Sequence, residues 1–200
     1  MRAIVFCYEM LKGGFPVFPV CPSPDATANR TRRLCLAALL AALVFVLTYV
    51  PKIPIPVGYV HLGDSVIYVG ALVFARRDAA LAASIGSCLA DFLGGFPLWI
   101  VPTFLIKYVM VWVVWLLTHS RGGARRVPLW QSTLAFLASS LWMAAAYGAC
   151  GALFYGSVAV GIASLPGLIL EGLVNTLVAV VAVMAGKNGT SSRRSQRIEA

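Results

Sequence analysis

Four ionisable side chains lie in stretches otherwise apolar enough to cross a bilayer: Asp64, Asp91, Lys107 and Glu171. Lys107 is the most exacting. It falls within LWIVPTFLIKYVMVWVVWLL, Leu98 to Leu117, and a lysine at mid-bilayer costs about 2.5–3.5 kcal/mol on insertion scales. Such a group usually faces a partner or a polar cavity. Helical spacing groups it with others. Trp99, Thr103 and Lys107 recur at i, i+4, i+8, and Glu171 and Asn175 at i, i+4. Ser84, Ser87 and Asp91 share one helix side, and Asp64 and Tyr68 another. With His61 and the rings of Tyr59, Phe96 and Trp99 near one mouth, these groups could line a pocket for a small, flat, polar ring compound. Plainer roles are open for each. Asp91 and Lys107 could be a structural ion pair, Asp64 a helix cap, Glu171 and Asn175 interhelical glue, and His61 a hydrogen-bonding loop residue. Trp112 and Trp115 read as interface anchors or lipid-packing residues.

The elements that position these residues follow from composition. Of 200 residues 60% are hydrophobic and 12% charged, and the mean hydropathy is +0.86. A soluble domain of this size could not bury so much apolar surface. The expected fold is an all-α integral membrane protein, a six-transmembrane-helix bundle over residues 30–186. Spans are expected at Leu34–Val50, Leu62–Phe74, Ala79–Leu93, Leu98–Leu117, Leu129–Phe154 and Pro166–Ala185, the second and third forming a tight hairpin. Residues 1–29 read as a cytoplasmic N-terminal tail, or as the product of a start codon assigned too far upstream, and 187–200 as a mobile polar C-terminal tail. Arginines and lysines cluster before helix 1, between helices 2 and 3, between helices 4 and 5, and after helix 6, whereas the alternate loops carry Lys52 alone. The positive-inside rule then places both termini in the cytoplasm. It also accounts for the net charge of +9 through topology and anionic lipid, with no nucleic acid needed. In that orientation Asp64, Asp91 and Glu171 lie in the outer half, and Lys107 forms the floor beneath them.

Several chemistries are unsupported. None of the four lysines precedes Ser or Thr, so there is no Walker loop. There is no HExxH and no GxSxG motif. Cys7, Cys21, Cys35, Cys88 and Cys150 have no metal-like spacing and read as small apolar filler. No enzyme activity, cofactor or metal is expected.

The run from IPIPVGYVHLGD through GSCLAD to PTFLIK, with LPGLILEG at Leu165 to Gly172, resembles the substrate-binding S components of energy-coupling-factor (ECF) vitamin transporters. The resemblance is greatest to the hydroxymethylpyrimidine, pyridoxine and riboflavin branch. It spans about Arg33 to Gly186, and Glu171 departs from an expected glutamine, which adds a charge to the pocket. The resemblance implies a subunit of a bacterial or archaeal plasma membrane. Such a subunit binds a water-soluble vitamin from outside, under a loop between helices 1 and 2, and docks on a T component driven by two ABC-type ATPases. The residues that would bind are Tyr59, His61, Asp64, Asp91, Trp99, Lys107, Glu171 and Asn175. Family docking uses AxxxA on helix 1, which Ala37/Ala41 and Ala38/Ala42 both fit. A self-sufficient proton-coupled secondary transporter using Asp91, Lys107 or Glu171 as a relay is the alternative from the residues alone.

Overall fold

The structure is a computed structural model, and it describes residues 26–51, 53–55, 58–119 and 127–196. Side chains are described for 29–51, 53, 60–119 and 127–186. The expectations for residues 1–25, Lys52 and the basic loop at 120–126 lie outside the described residues.

Among the described residues there are six α-helices: α1 (Ala26–Tyr49), α2 (Gly63–Val73), α3 (Arg76–Leu93), α4 (Ile100–His119), α5 (Leu129–Phe154) and α6 (Val158–Gln196). A 3₁₀ turn, Pro97–Trp99, leads into α4. Among the described residues, four helical segments are long and apolar enough to span a membrane: Asn29–Tyr49, Pro97–His119, Leu129–Phe154 and Val158–Gly186. At 11 residues, α2 is only roughly 16 Å long.

Several boundaries depart from expectation: α1 opens at Ala26 rather than Leu34, inside the stretch expected as a tail, and α3 at Arg76 rather than Ala79, inside the expected loop tip. The PKIPIP segment does end α1, since proline cannot continue a helix. The chain then forms an antiparallel hairpin, β1 (Ile53–Ile55) with β2 (Gly58–Val60), pairing Ile53 with Val60. Val158 opens α6 eight residues before the expected start, carrying Pro166 within the helix. The same helix continues through the polar 187–196 stretch, where a mobile tail was expected.

Small residues set the packing. The chain of neighbours runs α1–α3–α4–α5–α6, and α2 touches α1, α3, α4 and α6. A Cβ on Gly86 of α3 would lie 2.4 Å from the Ala41 carbonyl oxygen of α1. Gly161 of α6 similarly abuts the Gly148 carbonyl of α5. Gly156, at φ +63°, turns the chain between those two helices in a conformation that favours glycine. The end of α3 is a Schellman motif: Gly95 at φ +82° lets Phe96 N–H donate to the Asp91 carbonyl and Gly95 N–H to that of Phe92. Gly86→Ala should lower stability by about 1–3 kcal/mol through overpacking against backbone, measured as an earlier melt in detergent. An unchanged melt would mean that α1 yields freely.

Two contacts tie the ends of α1, α3 and α4 on one side of the bundle. Arg33 on α1 forms a forked pair with Asp78 on α3, at 2.8–3.0 Å. The Arg76 guanidinium lies 3.8 Å from the Trp112 ring centroid and 4.4 Å from that of Trp115. These indoles therefore clamp the α2–α3 tip.

Candidate functional site

The short α2 is the centre of the site. Its sequence GDSVIYVGALV has Gly63, Asp64, Ser65, Ile67, Tyr68, Gly70 and Ala71 buried. Nearly every face of this helix meets another helix, so its first-turn aspartate points into protein. Asp64 is not a side-chain cap for α2. Its Oδ1 accepts from Lys107 Nζ at 2.5 Å, with the two side chains 0% and 1% exposed. The partner of Lys107, left open by the sequence, is Asp64, and no ion pair joins the ammonium to Asp91 or Glu171 among the described residues. The reason is topological, because α2 lies directly against α4.

A second cluster joins α6 to the loop before α2. Glu171 Oε1 accepts the His61 peptide N–H at 3.2 Å. The same oxygen lies 3.1 Å from His61 Nδ1, a contact that is an ion pair only when the ring is protonated. Gly63 N–H also donates to that ring nitrogen at 3.2 Å. Asn175 bridges the loop: its Nδ2 donates to the His61 carbonyl at 2.7 Å and its Oδ1 accepts from Ser65 N–H at 2.8 Å. The amide thus satisfies one of the free N–H groups at the start of α2, which is what a capping side chain normally does. Leu62 N–H returns to the Leu47 carbonyl of α1 at 3.2 Å, and β2 packs against α6. The hairpin is therefore anchored from both sides. Glu171 also acts electrostatically on both Lys107 and Asp64, which joins the two clusters.

Aromatic rings border the ion pair. The Tyr147 ring lies 5.4 Å from Lys107 Nζ, and its hydroxyl donates to Thr103 Oγ1 at 3.0 Å. Trp99 is buried against Tyr147 and Phe154. Asp91 is buried at the end of α3 and acts electrostatically on Tyr147. Below the ion pair, Tyr68 OH and Ser140 Oγ are 2.7 Å apart, and Tyr68 stacks on Phe136.

His61, Asp64, Lys107, Glu171 and Asn175 therefore come together, with Trp99 and Asp91 one ring away. Tyr59 pairs with Pro54 in the hairpin, and its side chain lies outside the described residues. Tyr147, Ser65 and Thr48 were not singled out from the sequence. Ser140 and Tyr147, seven residues apart and so on one side of α5, are the available signal for Tyr147. Thr48 is buried where a Cβ on Gly63 would lie 2.0 Å from its Oγ1. Of the alanines on α1, Ala37 and Ala41 pack on the core, while Ala38 and Ala42 are exposed. An open groove between α3 and α4, lined by residues including Ile85, Cys88, Phe92, Val101 and Phe104, is apolar and holds none of the candidate residues.

Asn175→Ala should cost about 1–3 kcal/mol, because it removes the 2.8 Å acceptor of Ser65 N–H, leaving only the longer contact to the Leu62 carbonyl at 3.3 Å, and strips the buried His61 carbonyl of its donor. The expected readout is a lower melting temperature in detergent with faster amide exchange at His61–Ser65. Unchanged exchange there would refute the bridging role.

Two similarities bear on this arrangement. Residues 28–187 match the model of the family described as ECF-type riboflavin transporter, S component. An uncharacterized protein from the gap 3' region of Pyrococcus woesei is 39% identical over 66 residues, 32% of this chain. The matched stretch spans 44% of that protein's length.

Proposed function

We propose, from the premise that the chain belongs to the family of ECF-type riboflavin transporter S components, that it captures a flat ring vitamin from outside the cell and hands it inward. Membership makes it a multi-pass membrane subunit of a vitamin transporter rather than an enzyme. Riboflavin is the first substrate to test, with hydroxymethylpyrimidine and pyridoxine-type vitamers next. The observation that carries the reading is the buried Asp64–Lys107 pair, bordered by Tyr147 and Trp99 and joined electrostatically to Glu171. A lysine and two carboxylates are costly inside a membrane protein, and recognition of a polar ring gives them a use that packing alone does not.

In this reading all six helices belong to the membrane domain, the short α2 being enclosed by its neighbours. Both termini are cytoplasmic, and the hairpin covers the vitamin on the outer side. His61, Glu171 and Asn175 hold that cover. Tyr59, Asp91 and Trp99 complete the pocket wall. Release inside follows docking on a T component coupled to two ATPases, through the exposed Ala38/Ala42 stripe of α1. Small residues four apart let a partner helix approach closely. The test is mass spectrometry of small molecules that co-purify with the protein, followed by titration of its riboflavin fluorescence. Saturable quenching by the purified chain is expected. Absence of binding to riboflavin, hydroxymethylpyrimidine and pyridoxine alike would sink the proposal.

A further inference from the structure

We infer that Asp64 and Lys107 together read the N–H and adjacent C=O of a cyclic imide on the edge of the bound ring. This deepens the vitamin-binding reading and rests on it. The ion pair uses Asp64 Oδ1 and one Lys107 N–H, at 2.5 Å. Asp64 Oδ2 is buried and has no hydrogen-bond partner. Lys107, 1% exposed, makes no other hydrogen bond among the described residues, so two of its three donors are left over. Thr48 Oγ1 and Ser87 Oγ are also buried without partners. Buried polar atoms are almost always hydrogen-bonded, and native exceptions point to a water, an ion or a ligand.

The chemistry of the leftover atoms narrows the ligand. A carboxylate oxygen only accepts and an ammonium only donates. The pair therefore presents one acceptor beside two donors. A ligand cation would be repelled by Lys107 and a ligand anion by Asp64, so the matching edge is neutral. It carries a donor beside an acceptor: an N–H to Asp64 Oδ2 and a carbonyl oxygen to Lys107 Nζ. A cyclic imide has this edge within a ring plane; an aminopyrimidine shares the donor–acceptor order but offers a ring nitrogen in place of the carbonyl oxygen, so comparing riboflavin with hydroxymethylpyrimidine separates the two. Tyr147 and Trp99, 5.7 Å apart at their centroids, offer aromatic surface beside it.

The test compares riboflavin with N3-methylriboflavin on the purified full chain. Methylation removes the imide donor and should weaken binding to the wild type at least about tenfold, the usual size for a hydrogen bond to a charged group. In Asp64→Asn that penalty should shrink to about threefold or less. On the wild type alone, riboflavin labelled with ¹⁵N at N3 should show an N3–H proton protected from exchange with water. That measurement decides the matter even if Asp64→Asn does not fold. Equal affinities for the two ligands, an undiminished penalty in Asp64→Asn, or an N3–H exchanging as in free riboflavin would each overturn the inference while the vitamin-binding reading stands. Binding of pyridoxine or hydroxymethylpyrimidine without riboflavin would do the same. Failure of all three vitamins to bind overturns both.

Discussion

Lys107→Ala should destabilise the protein by about 3–5 kcal/mol, because it strands the Asp64 carboxylate in the interior without its counter-charge. The expected readout is a markedly earlier melt in detergent together with loss of vitamin binding. Those two effects separate in a double variant. Lys107→Met with Asp64→Leu removes both charges, and replacing a buried ion pair by apolar residues of similar volume is often neutral or stabilising. The double variant should therefore melt near or above the wild type yet bind no riboflavin. If it bound riboflavin as the wild type does, the ion pair would be structural and the ligand would lie elsewhere. If Lys107→Ala melted like the wild type, the pair would contribute nothing to the fold.

Ala42→Trp should reduce co-purification with the T component to background while leaving vitamin affinity unchanged. Ala42 is exposed, so the indole meets no other helix of this chain and only blocks an approaching partner. The neighbouring register is the control. Ala41 packs on the core, and its carbonyl oxygen lies where a Cβ on Gly86 would come within 2.4 Å. Ala41→Trp should therefore force α1 from α3 and lower the melting temperature. Co-purification of Ala42→Trp at wild-type level would remove this stripe as the docking face. The two AxxxA registers cannot be ranked from the letters alone, because alanine serves a close helix contact inside the chain as well as one between chains.

Much of the architecture was legible in one dimension. Apolar runs broken by proline, glycine and charge located all six helices, and Leu129–Phe154 was placed at both ends. The GGFP stop after α3 was read from Gly94 to Pro97, and its Schellman hydrogen bonds bear that out. The start of α6 is not legible in the sequence, because Pro166 has the character of a first-turn residue, a place where proline is tolerated. The β-hairpin escaped notice because Pro54 lies in it, and proline argues against a strand unless it sits at an edge. A two-stranded hairpin is all edge.

Sequence by itself determined that this chain is a membrane protein of the S-component family, which polar groups must find partners inside it, and on which helix sides those groups lie. These follow from composition, periodicity and motif order, all local along the chain. Only the tertiary structure decided that Lys107 meets Asp64, that Asn175 holds the start of α2, and that Ala38/Ala42 rather than Ala37/Ala41 is the free stripe. Each of those depends on which helices are neighbours. That arrangement comes from α2 being too short to span alone and settling among α1, α3, α4 and α6. A lysine in an apolar run signals that a partner is needed, but packing chooses which carboxylate provides it.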